Sequence, residues 1–283
     1  MLRGLNALRD AWLEASADGS RRLLVWRLPA AASRLLAAFF EMQRNDAGGD
    51  TPDYFLRIDT AYELGFRYSR QLKQDLLDRY LASQEDLRAQ QVPLGWRGPH
   101  EGHPDSAQGV VEVLESFIDH HGEHLRLLAA VLEPERSVPG EGFERWVDAA
   151  LAAGPGPRLR LVLVDTDEDP RWQSLLERHG RIARVVSAPV DMFGIARDTA
   201  AQSGGRGPEV LYRQLLADLM LLLERGSPSQ VVARAERAQG LAQRHGWQDQ
   251  QSVVQMMVAG AWLKHGDHGQ AINSYRQARS AAE

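Results

Sequence analysis

Residues 159–170 read LRLVLVDTDEDP, and this stretch decides the fold. Five of the six residues Leu159–Val164 are Leu or Val, a nearly unbroken apolar run. A strand of this kind belongs inside a parallel sheet with helices over both faces, because an edge or half-exposed strand would alternate apolar with polar. The acidic run Asp165-Thr166-Asp167-Glu168-Asp169 and Pro170 then stop it.

Working outward, helical and strand-like patterns alternate. Downstream, the spacing predicts a helix over 172–179 and a strand over 182–187 that ends before Pro189. Upstream it predicts a helix over 142–153, a strand over 125–132 and a helix over 107–122. The segment 92–106, VPLGWRGPHEGHPDS, is punctuated by Gly and Pro and predicts a loop. Before it come a long helical pattern over 60–91, a strand over 54–59, a turn over 46–52, a helix over 30–44 and a strand over 22–28 that stops at Pro29. The fold class expected is therefore α/β, with a mainly parallel sheet and flanking helices. Leu2, Leu5, Leu8, Trp12 and Leu13 outline an amphipathic N-terminal helix expected to pack on this domain. The Gly-rich stretch GGRGP, 204–208, is the expected linker. From residue 209 the pattern is helical throughout, with turns near Gly226, Gly246 and Gly266. The domains expected are 1–203 and 209–283.

Composition narrows the function. The chain has 283 residues, no cysteine and a net charge of −5. The charge and the lack of a basic stripe argue against a nucleic-acid binder. The absence of cysteine removes disulfides, thiolate nucleophiles and cysteine-ligated zinc. Asp10 and Glu14 fall where a signal peptide would need an apolar core. No run approaches the ~20 apolar residues of a membrane span. Lys73 and Lys264 are the only lysines beside many arginines, the signature of a GC-rich bacterial coding sequence. The expectation is a bacterial, cytoplasmic protein.

Three local patterns bear on chemistry. In 254–283, VQMMVAGAWLKHGDHGQAINSYRQARSAAE, Ala259 and Trp262 share one helix face and Gly266-Asp267 make a turn. Ala271, Tyr275 and Ala278 then lie at i, i+4 and i+7 of a second helix, where small residues admit a close neighbour. This resembles one tetratricopeptide repeat, including the hydrophobic-Lys-x-Gly-Asp run before the turn. The resemblance implies a protein-binding role. Gln255, Asn273, Arg276 and the Lys264-His265 end are the partner-facing candidates by helical phase. The array ends at Ala281–Glu283 without a further capping helix, so its last face is expected either to dock on something or to continue in a longer array.

The strand ending in Asp165 resembles the acid-bearing strand of P-loop NTPases, and the layout resembles signalling NTPases that end in repeats. The glycine-rich cradle with Lys is missing, since Leu28 is followed by Pro-Ala-Ala-Ala-Ser-Arg. No nucleotide hydrolysis is expected. Finally, His120-His121-Gly122-Glu123-His124 resembles the His-x-x-Glu-His pattern of inverted zinc peptidases. If helical, it would place His120 and His124 on one face as ligands and Glu123 as the base. Five of the nine histidines lie between residues 100 and 124. A polar helix end followed by a charged loop fits the same residues, and no stoichiometric zinc is expected. Trp96, between Gly95 and Gly98, needs a partner for its apolar surface, either the domain or another protein.

The function expected is a non-enzymatic adaptor, scaffold or chaperone with a protein partner and no cofactor. A regulatory nucleotide-binding protein with a degenerate site and a zinc-dependent hydrolase stand as alternatives.

Overall fold

A computed structural model describes residues 2–44, 51–133, 140–192, 194–195 and 207–282. Part of the predicted turn, 46–50, and part of the predicted linker, 204–206, lie outside them. The described elements are α1 (Leu2–Ala17), β1 (Leu23–Leu28), α2 (Ser33–Arg44), β2 (Tyr54–Ile58), α3 (Gly65–Ala82), α4 (Gln84–Ala89), α5 (Ala107–His120), β3 (Leu128–Leu132), α6 (Glu141–Ala152), β4 (Leu159–Thr166), α7 (Gln173–Arg178) and β5 (Ala183–Val186). Four more helices follow: α8 (Pro208–Arg225), α9 (Pro228–Arg244), α10 (Gln248–Lys264) and α11 (His268–Ala282). The chain divides into two compact units, Leu5–Val190 and Asp191–Glu283 with the first four residues. No described helix is long and apolar enough to cross a membrane.

The first unit is a five-stranded sheet in the order β2-β3-β4-β1-β5. Every pairing is parallel. β4 and β1 lie inside the sheet and are mostly buried, as their largely apolar composition requires. On one face, α1 and α2 bring an aromatic layer down onto the strands: Trp12 lies 4.7 Å from Phe55 and Trp26 lies 6.1 Å from Phe39, between ring centroids. Leu5, Leu8 and Trp12 are buried, so the N-terminal helix packs through the middle of its predicted face, while Leu2 is 75% exposed. On the other face, Leu23, Val25, Leu56, Leu161 and Leu163 join Tyr68, Phe117, Phe143, Trp146 and Leu175 from the helices in one core.

The edge of the aromatic layer is tied by a buried carboxylate. Asp53 accepts hydrogen bonds from Trp12 Nε1 at 2.7 Å and from Arg126 at 2.9 and 2.6 Å, the fork geometry that makes an arginine pair strong.

Two predicted helices differ. The single helix over 60–91 is two helices with a break at Ser83 and a non-helical start. Thr60 is held by Asp75 and the Tyr62 hydroxyl donates to the Gly142 carbonyl at 2.7 Å, so these side chains pin the segment sideways. The helix over 107–122 ends at His120.

The second unit is all helical. α9, α10 and α11 start at residues 228, 248 and 268, a repeat of twenty residues per helix. The two turns between them share one geometry. Gly246 and Gly266 take φ of 67° and 80°, the left-handed region that glycine enters without strain. The next residues reach back five positions, Trp247 N–H to the Ala242 carbonyl and Asp267 N–H to the Trp262 carbonyl, at 2.9 and 3.0 Å. Those paired bonds close each helix end as a Schellman motif. The earlier turn differs: Ser227 caps α9 and Gln230 returns the bond as a capping box.

Candidate functional site

Parallel sheets take ligands outside the carboxyl ends of strands, where neighbouring crossovers leave to opposite faces. Here that crevice lies beyond β1 and β4. Its acids are engaged by the chain itself. Asp165, 5% exposed, pairs with Arg27 at 3.1 Å and accepts from the backbone N–H of Thr166 and Arg171 at 3.0 and 2.9 Å. Trp172 adds a bond from its indole to the Val164 carbonyl at 2.9 Å. Glu168 accepts from the Ala30 N–H at 2.9 and 3.2 Å. That amide opens the loop after β1, the place where a phosphate cradle would begin. A carboxylate of the chain itself therefore stands there, and the acid on β4 fastens the loop that follows it.

The histidine-rich segment is not a helix surface. α5 stops at His120 and the chain turns through Gly122, whose carbonyl accepts from Arg158 at 2.6 Å. The helical turn that would stack His120 on His124 is not formed. No group of three possible metal ligands occurs among the described residues. The residue between the predicted ligands is the distinctive one. His121 is 3% exposed, and neither ring nitrogen has a hydrogen-bond partner. It packs against Phe117, Tyr80 and His120 at 4.5, 5.7 and 4.6 Å. Burial, with His120 and His124 nearby, pushes its pKa down to about 4.

Of the two covers expected for Trp96, the structure shows the domain. Trp96 is 7% exposed, its indole donates to Ser116 at 3.1 Å, and it meets Tyr80 and Phe117 at 5.2 and 5.1 Å. Its apolar surface is used inside the α/β unit, which removes it from the partner-facing candidates.

In the helical unit, Asn273 and Arg276 are exposed and Gln255 is half-buried. α8 and α10 run side by side in the same direction: the Tyr212 hydroxyl donates to the Gln250 carbonyl near their starts, and Lys264 donates to the Leu223 and Glu224 carbonyls near their ends. Ala259, Ala271 and Ala278 are buried, and Ser252 donates to the Ala278 carbonyl at 2.8 Å across the α10–α11 seam. Tyr275 was expected in that seam. It is 45% exposed instead, because Ser274 takes the buried position next to it.

Sequence reasoning missed an apolar arc on α10. Val253, Met256 and Leu263 are 39%, 48% and 48% exposed. At 100° per residue they fall within about 80° of the helix circumference. Between Val253 and Leu263 the sequence of α10 holds a single polar residue, Gln255, and that is the signal that could have found it.

The chain matches no protein-family model, no curated protein and no solved structure.

Proposed function

We propose that the C-terminal helices dock a partner protein and that the chain acts as a non-enzymatic adaptor, scaffold or chaperone. The observation that carries this reading is the arc of Val253, Met256 and Leu263 on α10. A stretch as apolar as Val253–Leu263 is ordinarily enclosed, and here Val253, Met256 and Leu263 stay open to solvent. Met256 gives that side a flexible, adaptable contact. Parallel α8 and α10 with α9 between them in sequence and small residues in the α10–α11 seam suit a tetratricopeptide-like array, although a twenty-residue helix period gives a helix pair longer than that repeat's length of about 34 residues. In such an array Gln255, Asn273 and Arg276 form a polar rim around the apolar contact. The crevice of the sheet, where the chain itself engages Asp165 and Glu168, gives the nucleotide reading no comparable support.

The test is affinity capture on the immobilised full-length chain, with wild type and Met256→Glu compared at equal amounts of folded protein. A charge forced into an apolar contact should abolish capture of the specific partner. Arg276→Glu, on the polar rim, should weaken it about tenfold or less, in keeping with rim charges elsewhere. A partner retained at full strength by Met256→Glu moves the docking surface off this arc.

A further inference from the structure

A groove of about 230 Å³ lies between α8 and α9, and every described residue that lines it belongs to one of those two helices, apart from the α10 arc. Its floor is Leu215 and Leu241, each 5% exposed, and its apolar wall is Leu211, 46% exposed. Small-molecule sites hold about 300–1,000 Å³, so a groove of this size suits one or two side chains of a polypeptide.

Two arginines flank the apolar strip. Arg237 and Arg244 are seven residues apart on α9, which places them about 20° apart in direction and about 10 Å apart along the axis. Both are exposed. The described ion pairs of the helical unit join Arg225 to Glu224 and Arg234 to Asp218. Among the described residues, Arg237 and Arg244 have no acidic partner and no side-chain hydrogen bond. Gly240 lies between them. A Cβ at this position would meet only the Arg244 guanidinium, at 3.8 Å, so the strip between the two cations is open. Glycine inside a helix costs stability relative to alanine, and Gly240 has no left-handed backbone that would require it. What it supplies is room. Glu236 is the one carboxylate among the described lining residues, one turn before Gly240.

We propose that this groove docks an acidic amphipathic helix of a partner protein, with a Leu-sized side chain over Gly240 and carboxylates seven residues apart on Arg237 and Arg244. Unpaired guanidiniums call for carboxylates, which they bind by charge-assisted hydrogen bonds. The helical form follows from the walls. α8 and α9 use their backbone groups internally, so an extended segment would find no backbone partners here, whereas a helix satisfies its own. Acids at i and i+7 of that helix match the arginine spacing, and apolar residues at i+3 and i+4 fall on the strip between them.

Fluorescence anisotropy with the full-length protein tests this. The probe is a labelled, blocked, alanine-based helical peptide with Glu at i and i+7 and Leu at i+3 and i+4. The expected result is saturable binding with a dissociation constant of roughly 10 μM to 1 mM, weakening as salt is raised. Twin peptides with Lys for both Glu, or Ser for both Leu, should bind about tenfold more weakly or worse. Gly240→Leu suits a helix and fills the strip, so it should weaken binding about tenfold. Arg237→Gln with Arg244→Gln, both at exposed positions, should do the same, and Glu236→Gln should tighten binding about twofold by removing a like charge. Met256→Glu, on the α10 arc, should leave peptide binding unchanged, so this site and the proposed docking arc fail independently. A Lys peptide or a Leu-free peptide that binds as tightly as the parent, no saturation by the parent, or binding unchanged in both Gly240→Leu and the double arginine variant overturns the proposal. Loss of binding in Met256→Glu places the peptide on the α10 arc and overturns it as well.

Discussion

In the α/β unit most of the large rings face inward, although Phe66 is half exposed. Trp12, Trp26, Phe39, Phe40 and Phe55 are all enclosed, and Phe39 and Phe55 meet edge to face at 5.6 Å. In the helical unit the enclosed positions are largely small or aliphatic, such as Ala235, Ala238, Ala242, Val254 and Ala259, while Met256, Leu263, Ile272 and Tyr275 stand about half in solvent. The difference has a physical origin. Two layers of helix over a twisted sheet enclose a thick core that only large side chains fill. Stacked helices approach closely when small residues line the seam, so their large residues are displaced to the outside. Large rings therefore close the core of one unit, while in the other Met256, Leu263, Ile272 and Tyr275 are left at the surface.

Truncating an aromatic in the first unit should have the largest effect. Phe55 is fully buried among Trp12, Phe39 and Phe40. Phe55→Ala is expected to cost about 3–5 kcal/mol, through lost transfer energy and the cavity left in a rigid layer. Urea unfolding followed by tryptophan fluorescence measures it. A cost near 1 kcal/mol would mean that the layer collapses around the gap, and the contrast between the two units would lose its basis.

The second expected effect is pH-dependent and confined to the first unit. The folded pKa of His121, about 4, lies below the ordinary value of 6.5. Between those values the unfolded chain binds more protons than the folded one, so stability is fully present above pH 6.5 and declines as pH falls toward 4. The decline is on the order of 3 kcal/mol. His121→Phe should flatten that part of the profile, measured as unfolding free energy from pH 7 to pH 4.5. His120 and His124 lie close enough to oppose protonation of His121, and Glu41, Asp53 and Asp86 are the carboxylates that line the cavity beside it. A wild-type profile already flat across this range would show that His121 finds a partner in solution.

How far the chain announces this arrangement varies by element. β1 and β4 were legible because a strand covered on both sides has to be apolar throughout, and Leu159–Val164 leaves no helical alternative between Pro157 and Pro170. The Gly246 and Gly266 turns were legible because left-handed helix ends favour glycine. The break at Ser83 was not, since the periodicity runs through it and the ties of Thr60 and Tyr62 go to distant residues. Trp96 needed a partner from either the domain or another protein, and its neighbours in sequence, Gly and polar residues, could not say which; its enclosure comes from Tyr80 and Phe117 on two separate helices. The cavity was illegible for the same reason: its wall draws on α2, β2, α3, α4 and α5, and no single segment shows it. The motif around His121 drew notice for its flanking histidines, whereas the structure gives the unusual environment to the one between them.

The smallest expected effect is at Tyr275. Its spacing from Ala271 and Ala278 predicts a ring in the α10–α11 seam, and a ring there would cost several kcal/mol to remove. The seam is closed by the alanines themselves and by Ser252, and the Tyr275 ring is 45% exposed. Removing a half-exposed ring deletes little burial and opens no cavity, so Tyr275→Ala is expected to cost less than about 1.5 kcal/mol. Thermal melts of both variants, at two protein concentrations, place this change directly beside Phe55→Ala. A loss as large as that of Phe55→Ala, growing with protein concentration, would mean that the outer face of α11 is covered by a second copy in solution. A large loss independent of concentration would mean that the ring folds back into the seam. The array would then resemble the sheet unit in how it encloses its aromatics, and the comparison between the two units would fail at its weakest point.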